Sequence, residues 1–413
     1  MTSTIIVTLC ILLLLAYLFD LTASKTNIPS VILLLLLGWL LRQLTDFLNI
    51  QLPDLTTILP VLGTIGLILI VLEGSLELEL NSSKFPLIRK SFLGAIIPLI
   101  LISFLLAFMF RYIGGYPFKV CLANAIPFSI ISSAIAIPSV RHLKKSHHEF
   151  VIYESSLSDI LGVVFFNFIT LNETFGIGTF ADFGLNLFIT MIVSFVASIG
   201  LTILLQKIEH HIKFIPIILL VILIYTISKI YHLPSLVFIM FFGLFVGNLY
   251  KFSRFKWIKR LRPEELKIEG KKFKDLTIEG AFLIRALFFL LFGYLLKTTE
   301  ILNTETLVWS IGIVVAIFAF RTIQLKLSGL SLTPLLFVAP RGLITILLFL
   351  SLEPGENISL VNNSLIVQVI VLTALIMMFG LIAMPKMEKR NDEIDENEII
   401  ETEELEQEEL PVS

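Results

Sequence analysis

Two carboxylates lie five residues apart in a stretch that is otherwise largely apolar, Tyr153 to Asn167 (YESSLSDILGVVFFN). The two acids are Glu154 and Asp159, and more apolar sequence lies on either side of the stretch. An ionised carboxylate at the centre of a bilayer costs about 2.5–3.5 kcal/mol on the scale from insertion experiments. Acids placed at that depth mark ion pathways, proton relays or buried ion pairs. The stretch therefore predicts a site where charge is handled inside a membrane.

The two acids cannot share one role on a helix. Ser155 and Asp159 are four residues apart and lie on one face, whereas Glu154 points about 140° away from Asp159. We expect Glu154 to pair with an arginine, remain ionised and hold helices together. We expect Asp159 to face a wet cavity, where it can exchange a proton for a cation. The arginines available near membrane depth are Arg285, Arg321 and Arg341.

A third acid, Glu73, lies in the apolar run VLEGSLEL. It could face the same cavity as Asp159. Its position near one end of the run also allows the alternative that the carboxylate reaches out to the membrane surface. Both interpretations of Glu73 remain open.

The composition is that of a membrane protein built from helices. Of the 413 residues, 56% are hydrophobic and 15% are charged, whereas a soluble domain has about 25% charged residues. Apolar runs of about 18 residues or more recur along the chain and predict about thirteen transmembrane helices. The first run, Ile5 to Phe19, is interpreted as a retained span rather than a signal peptide, because no Lys or Arg precedes it.

Positive charges predict the orientation. Most of the 31 Lys and Arg residues fall in the connections that follow odd-numbered spans, which places the N-terminus outside and the C-terminus in the cytoplasm. We expect residues 1–386 to form the transmembrane domain of a cell (inner) membrane protein. Residues 251–276 are expected to form a basic cytoplasmic connection, and 387–413 an acidic, disordered tail.

Two segments half a chain apart resemble each other. IPSVILLLLLGWLLRQL begins at Ile28 and LPSLVFIMFFGLFVGNL begins at Leu233, with the Pro-Ser pair and one glycine in register. The charge count makes the two copies run in opposite directions, which predicts an inverted repeat of the kind found in secondary transporters.

The same comparison predicts broken helices. The fifth predicted span carries Pro127 and Pro138 around a polar stretch, and the twelfth carries Pro334 and Pro340. Proline removes a backbone hydrogen bond, and unwound backbone at membrane depth is tolerated where it lines a cavity. Two discontinuous spans in corresponding halves predict a central ion site, although proline kinks in packed helices remain the simpler alternative.

Four short motifs, in order, resemble those of the cation/proton antiporter superfamily, in its sodium/proton exchanger branch. ESSLSD (Glu154 to Asp159) is similar to the family's ESLLND, LEGSLEL (Leu72 to Leu78) to FEGGLEL, PRGL (Pro340 to Leu343) to LRGA, and IPSVI (Ile28 to Ile32) to IPYPV. The resemblance covers residues 1 to about 386. It implies an all-α fold with a dimerisation domain and a core domain that holds two crossed, discontinuous helices.

The resemblance also implies roles for individual residues. Asp159 would bind the cation or the proton, with Glu73, Ser155 and Ser129 as further ligands. Glu154 would form a structural salt bridge, with Arg321 and Arg341 as its candidate partners. The chain departs from the family at Ile130, where the family has an aspartate, and at Ser158, where it has an asparagine. Residues expected at the helix crossing are Ser132, Ser133, Ser158 and Pro340.

The function predicted is exchange of a monovalent cation, with Na⁺ favoured over K⁺ or Li⁺, for H⁺. The resemblance implies a homodimer in the lipid bilayer, without a cofactor or nucleic acid.

His142, His147 and His148 in one connection could sense pH. The absence of a Walker motif argues against an ATP-driven pump. An intramembrane hydrolase that uses Asp159 and Ser155, and a channel or sensor of the same fold, remain the alternatives.

Overall fold

The structure is a computed structural model, and it describes residues 2–26, 28–48, 55–78, 84–141, 143–172, 176–208, 213–231, 235–248, 263–353 and 355–383. The helices are α1 (Thr2–Thr26), α2 (Ser30–Phe47), α3 (Ile58–Glu77), α4 (Phe85–Gly114), α5 (Phe118–Ser129), α6 (Ser133–Ser139), α7 (Lys145–Leu171), α8 (Ile177–Lys207), α9 (Phe214–Ile230), α10 (Ser235–Gly247), α11 (Pro263–Leu295), α12 (Thr298–Ile301), α13 (Thr304–Leu327), α14 (Leu343–Ser351) and α15 (Asn363–Ala383).

The prediction of an all-α, multi-pass membrane protein is confirmed. Nine helical segments in the described residues are long and apolar enough to cross a bilayer, with α5 and α6 together forming one of them, and three shorter apolar helices accompany them. The number thirteen stays a prediction. The acidic tail 387–413, residues 251–262 of the basic connection and His142 lie outside the described residues.

The inverted repeat explains how the helices pack. Its aligned glycines, Gly38 on α2 and Gly243 on α10, both lie against the backbone of another helix. A Cβ on Gly38 would lie 2.2 Å from the carbonyl oxygen of Leu290 on α11, and one on Gly243 would lie 3.2 Å from that of Leu72 on α3. Each copy of the repeat therefore packs closely on a helix from the other half of the chain.

Two groups of helices follow from the contacts. The scaffold helices, α1–α3 and α8–α11, pack mainly among themselves through the α2–α11, α3–α11 and α3–α10 pairs. The core helices, α4–α7 with α13–α15, are joined through α4 to α5, α7 and α13, while Thr373 on α15 accepts the backbone N–H of Arg341. Helix α14 contacts both groups, since it packs on α3 as well as on α5.

The two predicted breaks are confirmed, and both fall in the core helices. Helix α5 ends at Ser129 and α6 begins at Ser133, so residues 130–132 are extended between Pro127 and Pro138. In the twelfth predicted span, turns and extended backbone replace the first half, and regular helix begins only at Leu343. The breaks meet directly, because the backbone N–H of Ser132 donates to the carbonyl oxygen of Pro340 at 2.9 Å.

Candidate functional site

Asp159 lies in the middle of α7 and is 1% exposed. Its Oδ2 atom accepts two hydrogen bonds from Ser133, one from the backbone N–H at 3.2 Å and one from the hydroxyl. Its Oδ1 atom is buried and makes no hydrogen bond with any described residue. One oxygen is therefore anchored at the start of α6, and the other has its lone pairs available for a proton or a cation.

The extended linker between α5 and α6 is held by side chains and backbone of the elements that cross it. Ser158, the residue before the buried acid on α7, accepts the backbone N–H of Ile131 through its hydroxyl at 2.9 Å. The next N–H, that of Ser132, is taken by Pro340. Buried backbone donors need partners of this kind, and these two bonds fix the linker so that Ser133 faces Asp159.

Glu154 forms its ion pair with Arg321 of α13. Both side chains are almost fully buried, at 1% and 2% exposure. Arg321 also donates to the carbonyl oxygens of Leu335 at 3.1 Å and Val338 at 3.3 Å. The guanidinium thus joins α7 and α13 to the non-helical segment before Pro340, and it satisfies carbonyls that no helix satisfies.

Arg341, the second candidate partner of Glu154, has a different set of acceptors. Its guanidinium donates to the carbonyl oxygens of Phe128 at 2.5 Å, Ala339 at 2.9 Å and Ser129 at 3.3 Å. The first and last of these carbonyls belong to the end of α5, where helical hydrogen bonding stops. Arg341 therefore ties the two breaks together, and the ion pair with Glu154 belongs to Arg321.

Three other predicted ligands, Ser155, Ser129 and Glu73, are not hydrogen-bonded to Asp159 within the described part of the chain. The Ser155 hydroxyl donates to the carbonyl oxygen of Val151 at 2.7 Å. The Ser129 hydroxyl is within 2.8 Å of Ser103 Oγ and 2.6 Å of the carbonyl oxygen of Ile126.

Glu73 is buried on α3, close to α7. A Cβ on the next residue, Gly74, would lie 2.8 Å from Ser156 Oγ, so the two helices nearly touch one turn before Asp159. Glu73 is 7% exposed, and the alternative in which its carboxylate reaches the membrane surface does not fit this burial.

Ile130, which the sequence resemblance aligns with an aspartate, is fully buried. Its side chain lies on Gly162, one turn after Asp159 on α7, where a Cβ would come within 2.3 Å of Ile130 Cδ1. This side of the site is therefore apolar.

Sequence reasoning assigned Ser133 only to the helix crossing, whereas it supplies both hydrogen bonds to Asp159. The polar stretch after Pro127 was the available signal, but it contains three serines and gives no reason to choose one of them.

Glu154 lies directly over Gly94 of α4. A Cβ on Gly94 would lie 2.7 Å from Glu154 Oε1 and 2.8 Å from Gln324 Nε2. We expect Gly94→Ala to lower the stability by about 1–3 kcal/mol through overpacking, despite the higher helix propensity of alanine.

The matched control is Gly312→Ala on α13, where nothing lies within 4 Å of the added Cβ. It should unfold at or above the parent's temperature. Thermal unfolding of the detergent-solubilised protein measures both variants, and equal midpoints for the two would contradict the close packing of Glu154 on α4.

Comparison with known proteins shows which family the chain matches. The family model described as sodium/hydrogen exchanger, transmembrane, matches residues 10–389. A search of curated protein sequences finds no match.

Among solved structures, the chain is similar to the sodium proton antiporter MjNhaP1 from Methanocaldococcus jannaschii at pH 8, with 20% identity and a TM-score of 0.65 over 92% of this chain and 96% of that one. A second structure of MjNhaP1, from electron microscopy, gives 19% identity and a TM-score of 0.66 over 94% and 97% of the two chains. At this level of identity the likeness concerns the fold.

Proposed function

The chain belongs to the sodium/hydrogen exchanger family, and on that premise we propose that it exchanges Na⁺ for H⁺ by alternating access, with Asp159 binding the cation and the proton in turn. Family membership makes it a membrane antiporter rather than an enzyme. The observation that carries the proposal is the Asp159 carboxylate, which is buried where the two broken helices cross, with one oxygen held by Ser133 and the other without a hydrogen bond to any described residue.

A carboxylate in this setting suits competition between a proton and a metal cation. A bare charge in a low-dielectric interior is costly, so Asp159 is stabilised either by protonation or by a cation at Oδ1. Ser133 holds Oδ2 in both states. Na⁺ needs further oxygen ligands, and we propose that these come from Glu73, Ser155 and Ser129. The close approach of α3 to α7 at Gly74 and Ser156 supports this role for Glu73.

We assign Glu154 and Arg321 a structural role. Both are almost completely buried, and Arg321 is shared among the carboxylate, Gln324 and two backbone carbonyls. A pair held in this way does not exchange its charge during a transport cycle. Arg341, Ser132, Ser158 and Pro340 would serve the same purpose, which is to keep the helix crossing in place.

The test is exchange in proteoliposomes loaded with a pH-sensitive dye. An imposed Na⁺ gradient should drive protons the other way, and the same assay with K⁺ and Li⁺ gives the selectivity. Stronger proton movement with K⁺ than with Na⁺ would favour a K⁺/H⁺ antiporter. Cation flux without coupled proton movement would identify a channel, and no flux of either kind would point to a sensor.

We predict that exchange is electroneutral. Ser158 cannot ionise, and Glu154 is held in its ion pair with Arg321. Asp159 is therefore the main group that binds and releases a proton or a cation during the cycle. A proton and a sodium ion that compete for one carboxylate exchange one for one, and a membrane potential, worth about 2.3 kcal/mol per charge per 100 mV, then cannot drive the cycle.

A clamped potassium-diffusion potential across the proteoliposome membrane measures this. The rate should be the same with and without the clamp, and a solid-supported membrane should show no sustained current. A rate that follows the potential would mean that a second group titrates, and Glu73→Gln would be the variant to compare first.

The remaining proposals concern placement in the membrane. The distribution of Lys and Arg supports an N-terminus outside and a C-terminus in the cytoplasm, and we propose that the membrane is the cell (inner) membrane. Residues 1–386 would form the exchanger domain of a homodimer, with 387–413 as a solvated tail. Cysteine accessibility at each terminus and mass measurement of the purified protein test these points.

A further inference from the structure

A cavity lies away from Asp159, between the scaffold helices and the core helices. Its volume is about 350 Å³, which is within the usual range for sites that bind small molecules. The scaffold side is formed by the ends of α2 and α11 and the start of α3, and the core side by the end of α14 and the start of α15. None of its lining residues hydrogen-bonds to Asp159, Glu154 or Arg341.

The walls are mostly hydrocarbon from both groups of helices. Leu59 and Phe292 line the scaffold side, and Phe349, Leu350 and Ile366 line the core side. Leu350 is 49% exposed, so the cavity has an edge at the outer surface of the chain. Walls of this kind favour an aliphatic chain over a sugar or a nucleotide.

The charged groups at the cavity favour an anion. Arg42 and Lys297 line it together with one acid, Glu300. The Glu300 carboxylate is already engaged, since its Oε2 atom accepts the backbone N–H of Lys297 at 3.4 Å. Arg42 already pairs with Asp46 at 3.5 Å. No described acid forms an ion pair with the Lys297 ammonium, so Lys297 is the cation that can bind an anion.

We propose that this cavity binds a single-chain amphiphile with an anionic head group. The aliphatic chain lies between the apolar walls, and the head group lies beside Lys297 and Arg42. A fatty acid anion and an anionic lysophospholipid share this chemistry. Because the ligand contacts both groups of helices, it stabilises the arrangement of the two groups seen here.

The experiment is equilibrium binding of radiolabelled dodecanoate to the protein in phosphatidylcholine nanodiscs, with empty nanodiscs subtracted. Saturable binding and a higher thermal unfolding midpoint are expected. Lys297→Gln should weaken binding by about fivefold, the factor for an exposed charge pair near 1 kcal/mol. Leu350→Trp, which fills the cavity from the core side, should remove the saturable component.

Matched control variants separate an effect at the cavity from a general effect of the substitutions. Lys229→Gln and Leu219→Trp make the same changes on the exposed face of α9, which does not line the cavity, and both should bind as the parent does. Competition by unlabelled dodecanoate or by lauroyl-lysophosphatidylglycerol shows which source of the anionic amphiphile is preferred.

Three results would overturn the proposal: no saturable binding, equal competition by dodecyltrimethylammonium, or parental affinity in Leu350→Trp or Lys297→Gln. The assay involves no transport, so its failure would leave the proposed exchange standing.

Discussion

Asp159→Asn is expected to reduce cation-driven proton movement to the level of protein-free vesicles while the protein still folds. An amide neither releases a proton nor carries a charge. It keeps the shape of the carboxylate, and its oxygen can still accept both hydrogen bonds from Ser133. Thermal stability should equal or exceed that of the parent, because a buried charge is removed.

The measurement is dye-reported exchange under an imposed Na⁺ gradient, together with thermal unfolding of the same preparation. The control is Asp182→Asn, the same chemical change at an exposed position of α8, which should exchange like the parent. Near-normal exchange by Asp159→Asn would contradict the assignment of Asp159 as the group that binds the cation and the proton.

Glu154→Gln is expected to produce the opposite phenotype. The protein should lose stability and yield, rather than lose cation-driven proton movement while still folding. The change leaves Arg321 buried without its carboxylate, and an unpaired buried charge costs about 3–5 kcal/mol. The carbonyl oxygens of Leu335 and Val338 remain as acceptors, but they are neutral and do not replace the ion pair.

The control on the same helix is Glu149→Gln. Glu149 pairs with Lys84 at 3.1 Å, and both side chains are about one-fifth exposed, so this change should cost less than about 1 kcal/mol. Adding Arg321→Gln to Glu154→Gln should cost less than the sum of the two single changes, since the two residues interact. A Glu154→Gln protein as stable as the parent would show that the pair is not structural.

Sequence alone was enough for the membrane class, the helical architecture and the inverted repeat. These follow from long apolar runs and from the register of Gly38 with Gly243. Spacing along one helix also separated Glu154 from Asp159, because residues five apart point in different directions. Proline positions indicated where the two core spans are interrupted.

Only the tertiary structure decided which groups meet. Glu154 and Arg321 are 167 residues apart in the chain, and Arg341 reaches a carbonyl 213 residues away. Periodicity describes neighbours within a helix and carries no information on such pairs. The choice of Ser133 as the partner of Asp159, and the cavity between the two groups of helices, likewise depend on how the broken helices cross, which packing and the need to satisfy buried backbone groups determine.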